Sequence, residues 1–135
     1  MSLRALGHLV ALMLAGELAR LVAIRRYFVE NASPSEIAYE VRRGKLTVRG
    51  WIQRLCEAGG GYHVARYVVR RCVDRVYDLE PVLVVASVGS RVEYRCLLCG
   101  GVATRPVHHI LTYHRDYVAR CVQRVADCLL NGRGA

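Results

Sequence analysis

Residues 94–114, YRCLLCGGVATRPVHHILTYH, set Cys96 and Cys99 two residues apart and follow them with His108, His109 and His114. Few patterns tie so much chain to one point. A structural Zn²⁺ takes four nitrogen or sulfur ligands in a tetrahedron, and a Cys-x-x-Cys knuckle followed by helix-borne histidines supplies them from one short stretch. Cys96, Cys99, His109 and His114 are the expected donors. His108 with His114 is the alternative pair, which leaves His109 beside the metal or on the surface. Five residues carry a side chain about 140° round an ideal α-helix, so His109 and His114 converge only where the helix tightens or widens.

From Tyr94 onward the chain resembles a two-Cys, two-His zinc finger, with an aromatic two residues before the first cysteine and His109-x4-His114 on a helix. The resemblance covers about 21 residues and implies a ββα-like unit. Nine residues separate Cys99 from His109 where the common finger has about twelve, which implies a shortened loop. A catalytic zinc keeps one position open and a base close by. Four closed ligands with only Glu93 and Asp116 nearby point instead to a structural clamp, and the chain is expected not to be an enzyme.

The 135 residues carry a net charge of +9, and of the 20 lysines and arginines all but Lys45 are arginine. Arginine forms bidentate bonds to phosphates and guanine edges, so a polyanion partner is expected. With 53% hydrophobic residues the chain can bury a core, arranged in two compact halves. Cys56, Cys72, Cys121 and Cys128 each fall on an apolar helical stripe and read as buried free thiols, with a disulfide as the alternative. Met1 to Gly16 mimics a secretory signal, but helical periodicity runs on through Leu18, Leu21 and Val22, and the uncharged run is too short for a membrane span of about 20 residues. A cytoplasmic protein without a membrane segment is expected.

Apolar residues at 6, 9, 10, 13, 14, 18, 21, 22, 24 and 28 predict one long helix over 3–29. Its wide apolar arc predicts a homodimer interface on the side its own domain leaves uncovered. Ser33, Pro34 and Glu36 form a helix start, with Gly44 suited to the turn after that helix. A third helix begins near Thr47 and ends at Gly59–Gly61, a fourth spans about 62–79, and Pro81 closes it. VLVVASV and RVEYRC around Gly89-Ser90 predict a β-hairpin leading into the knuckle. The last helix is expected from Pro106 to Asn131-Gly132.

SPSEIAYEVRRGKLTVRGWIQRLCEAGG resembles the helix-turn-helix or winged-helix family of DNA-binding domains over residues 33–60. If the likeness holds, Leu46 fills the apolar turn position and the helix from Thr47 to Cys56 is the recognition helix. Thr47, Arg49, Gln53 and Arg54 would then face the groove, and Arg42, Arg43 and Lys45 would hold phosphates. Arg49 and Gln53 sit four residues apart, and they are the types that pair with guanine and adenine. The wing has no counterpart after Gly61, unless the hairpin at 82–96 takes its place.

The expected fold is therefore mainly α with a small β-hairpin. A helix-turn-helix bundle (1–61) and a connecting helix (62–81) precede a ββα-like zinc module with an extended C-terminal helix (82–135). The expected function is a sequence-specific transcriptional regulator binding double-stranded DNA, with RNA as the alternative nucleic acid and no small-molecule substrate identified. The alternative is a zinc-stabilised adaptor that docks on a protein or RNA-protein assembly.

Overall fold

The computed structural model describes residues 3–130. It is mainly helical with a small antiparallel sheet, as the sequence predicts. The helices are α1 (Leu3–Leu14), α2 (Leu18–Phe28), α3 (Pro34–Val41), α4 (Lys45–Gly59), α5 (Tyr62–Val76), α6 (Pro106–Tyr113), α7 (Arg115–Val125) and α8 (Asp127–Leu130). Between α5 and α6 lie β1 (Leu83–Val88), β2 (Arg91–Cys96) and β3 (Val102–Ala103), paired in the order β1-β2-β3. The expected hairpin thus carries a third, two-residue strand, with Tyr94 opposite Ala103.

The single helix expected over 3–29 is two helices. Gly16 adopts a left-handed backbone, its N–H bonds to the Met13 carbonyl, and the Glu17 N–H bonds to the Leu12 carbonyl. That pair of bonds is a Schellman cap, which ends α1 and turns the chain into α2. Apolar periodicity carries across the break because both helices bury a face in the same core.

A helix buried on all its sides belongs at the centre of a domain. Ala5, Leu6, Leu9, Val10, Ala11, Leu12, Met13 and Leu14 are all buried, and α1 touches α2, α4, α5, α6 and α7. The α1 part of the expected apolar arc is thus covered within the chain, while Leu18 and Val22 on α2 stay 47% and 41% exposed. One hydrophobic core runs from Ala5 to Leu129 through both expected halves. Val82 anchors the sheet to α1: its N–H bonds to the Leu14 carbonyl, and its carbonyl accepts from Leu97.

The start of α3 is as expected. Ser33 accepts the Glu36 N–H while the Glu36 carboxylate reaches back to Ser33, with Pro34 in the first turn. Its end differs, because Arg42, rather than Gly44, takes the left-handed conformation. Gly44 is the N-cap of α4, which begins at Lys45, two residues earlier than predicted. Leu46 does not lock the crossing of α3 and α4, since it is 81% exposed. The buried stripe of α4 is Val48, Trp51, Ile52, Leu55 and Gly59.

Two further expectations are corrected near the C-terminus. The long helix from Pro106 is divided at His114, and its expected end at Asn131-Gly132 lies outside the described residues. Cys72 and Cys128 form a disulfide with Cα atoms 5.6 Å apart, joining α5 to α8. Cys56 and Cys121 remain free, and burial pushes both thiols up.

Candidate metal centre and basic helix face

β2 ends on Cys96, which is fully buried, and the chain reverses at once so that β3 can pair with β2. The reversal is closed by the Gly100 N–H to the Cys96 carbonyl and the Cys96 N–H to the Gly101 carbonyl. Cys99 stands at the exposed tip, where the Gly101 N–H points at its sulfur, 3.4 Å away.

The histidines come from the helical side. His109 lies on α6, and His114 sits between α6 and α7 with φ −128° and ψ 38°, outside helical geometry. Its N–H still bonds to the Ile110 carbonyl, and its carbonyl still accepts from Val118. One non-helical residue therefore supplies the local distortion that the five-residue spacing requires, while the bonding ladder continues on both sides. His108 is exposed and does not join the cluster. Burial is the main cause that lowers the His109 imidazole below its ordinary pKa, with the neighbouring His114 and His108 adding to it.

Cys96 Sγ lies 3.3 Å from His114 Nε2, Cys99 Sγ lies 3.5 Å from His109 Nε2, and the two Nε2 atoms are 3.2 Å apart. All four donor atoms lie within 4.8 Å of one another. Bond lengths of about 2.3 Å to sulfur and 2.0–2.1 Å to nitrogen give tetrahedron edges of about 3.6 Å (S to N) and 3.3 Å (N to N). The observed separations match those edges, so Cys96, Cys99, His109 and His114 could hold a metal ion. Among the described residues no carboxylate belongs to the group.

The residues expected to meet nucleic acid are on a different part of the surface. Thr47, Arg49, Gln53 and Arg54 are all exposed on α4, and Arg42, Arg43 and Lys45 are exposed around the α3–α4 turn. Two of these side chains have partners: Gln53 donates to Glu57 at 2.9 Å, and Arg43 donates to the carbonyls of Val41 and Arg42. Tyr39 on α3 and Leu46 at the start of α4 are 88% and 81% exposed.

His8 on α1 and Arg20 on α2 carry no role that spacing or motif in the sequence assigns. They approach the flank of α4 at Trp51 and Arg54, with the Arg20 guanidinium 5.5 Å from the Trp51 ring centre. A histidine among the apolar residues that follow Arg4 in α1 was the available signal. Burial, then the charges of Arg20 and Arg54, push the His8 imidazole down to about 4.

No helix among the described residues is long and apolar enough to cross a membrane. Comparisons with protein-family models, with curated proteins and with solved structures find no match for this chain.

Proposed function

We propose that this protein binds double-stranded DNA in a sequence-dependent way through α4, as a transcriptional regulator, and that the Cys96–Cys99–His109–His114 group holds a structural zinc ion. The observation that carries the DNA reading is the face built by α4 and the turn before it. Seven polar or cationic side chains from Arg42 to Arg54 are exposed there, and no acid lies in the sequence between Glu40 and Glu57. A helix inserted in the major groove reads bases with such residues, while cations at its start hold the flanking phosphates.

Zinc suits the donor set because two thiolates and two imidazoles in a tetrahedron satisfy it without an open position. When bound, zinc would fasten the sheet to α6 and α7; its four protein ligands support a structural rather than a catalytic role. Glu93 and Asp116 lie outside the group.

Tyr39 and Leu46 favour a second reading, an adaptor that docks on a protein or RNA-protein assembly, because large exposed apolar side chains suit protein contacts. Duplex binding measured against salt separates the two. The DNA reading expects affinity that falls steeply with salt and depends on duplex sequence. Equal, weak binding to every duplex supports the adaptor.

A further inference from the structure

Three cationic or ionisable side chains from three helices lie near one edge of α4, with Arg20 at Trp51 and Arg54 one turn further along α4. His8 comes from α1, Arg20 from the first turn of α2, and Arg54 from α4 itself. The fields of Arg20 and Arg54 both act on His8, and that of Arg54 acts on Arg20. Arg54 folds back over Gly50, its Nη2 3.4 Å from where a Cβ would stand. The Arg20 guanidinium carbon lies 5.5 Å from the Trp51 ring centre, within cation–π reach.

Their partners set these residues apart. Arg25 and Arg26, one turn further along α2, are paired with Asp74 and Glu30, and with Glu30 and Glu40. Among the described residues no carboxylate comes within ion-pair distance of Arg20 or Arg54; the field of Glu17 reaches Arg20, but not as a contact. The Arg20 Nε, which always carries a proton, and the His8 Nε2 are both buried and without a hydrogen-bond partner. Buried donors are normally satisfied, and leaving one unmade is costly. A concentration of positive charge with unmet donors is the complement of an oxyanion.

We propose that His8, Arg20 and Arg54 form a phosphate-binding cleft on the Trp51 flank of α4. The Arg20 fork and the His8 Nε2–H, in the tautomer protonated there, supply the inner donors, and exposed Arg54 closes the outer side. A phosphodiester of the DNA backbone and a free phosphate or phosphate ester share this chemistry. The duplex as source rests on the reading of α4 given above; the cleft itself does not.

The test titrates inorganic phosphate into the full chain against chloride at matched ionic strength, following the His8 ring by NMR and binding by calorimetry. Saturable binding that shifts the His8 signals is expected. Arg20→Gln and Arg54→Gln should each weaken it at least about tenfold, the scale of one charged hydrogen bond, while Arg91→Gln on the sheet leaves it unchanged. If Arg20→Gln disturbs packing over Trp51, the exposed Arg54→Gln carries the comparison.

A second arm measures affinity for duplex DNA against salt. A slope reduced by about 0.9 in Arg54→Gln identifies a backbone phosphate as the ligand, whereas an unchanged slope with lost phosphate binding identifies a free phosphate or ester. Phosphate binding in a protein without duplex preference leaves the cleft standing and removes the DNA reading. Absence of saturable phosphate binding together with unchanged salt slopes overturns the cleft, even if sequence-dependent DNA binding is found.

Discussion

The Nε2 atoms of His109 and His114 lie 3.2 Å apart although five residues separate them along a segment that is helical on both sides. The distortion confined to His114 makes this possible. With Cys96 and Cys99 opposite, the group forms a tetrahedron from donors on both sides of the sheet–helix boundary.

One zinc per chain is expected by metal analysis of the native protein. Cys99→Ser and His109→Ala should each abolish stoichiometric binding and loosen the sheet from α6, because metal binding and folding are coupled. His108→Ala should keep the metal. Retention of zinc by His109→Ala with loss in His108→Ala would reverse the ligand assignment.

Arg42 is the left-handed residue that ends α3, and a non-glycine side chain there carries backbone strain. Arg42→Gly is therefore expected to raise stability by roughly 0.5–1 kcal/mol in urea unfolding. The same substitution should weaken all duplexes alike by removing a phosphate contact. Stability and DNA affinity moving in the same direction would contradict the role given to Arg42.

The Cys72–Cys128 disulfide closes a loop of sequence separation 56 that contains the sheet, α6 and α7. Its removal by Cys72→Ser should cost about 2–4 kcal/mol, chiefly through the freer unfolded chain. Denaturation of oxidised and reduced protein checks this. Coincident midpoints would mean the bond contributes nothing.

His8 predicts an acid-side loss of stability. Its ordinary value of 6.5 is pushed down to about 4 in the folded state, so above pH 6.5 it is neutral in both states and its protonation makes no difference to stability. As pH falls from 6.5 to 4 the unfolded chain takes up a proton that the folded chain refuses, and stability drops by on the order of 3 kcal/mol. His8→Gln, measured in chloride, should show a smaller drop across that window. Parallel pH profiles for the two proteins would contradict the burial of a neutral imidazole.

Local chemistry was readable where it acts over three or four residues. Ser33, Pro34 and Glu36 marked a helix start because each meets a need of the first turn, and the apolar spacing of Val48, Ile52 and Leu55 gave the buried side of α4. The cysteine spacing pointed to four candidate metal donors, since a reversal after Cys96 leaves Cys99 close by. What periodicity could not convey was direction. It ran on through the Schellman turn at Gly16, and it could not tell that α1 would be enclosed by its own chain. The partnership of Cys72 with Cys128 depends on how α5 meets α8, which no spacing within either helix encodes. Leu46 looked like a turn residue because it is apolar, yet starting α4 at Lys45 turns it outward. His8 and Arg20 lie on different helices, and only packing against α4 brings them together.

Selection from random duplex DNA at physiological salt, with RNA as competitor, tests the central claim most directly. The expected result is enrichment of a defined duplex sequence, with Arg49→Ala and Gln53→Ala each reducing discrimination by about 1–3 kcal/mol and Arg43→Ala weakening every sequence equally. No enriched sequence, or equal losses on all duplexes for the three variants, would contradict recognition through α4.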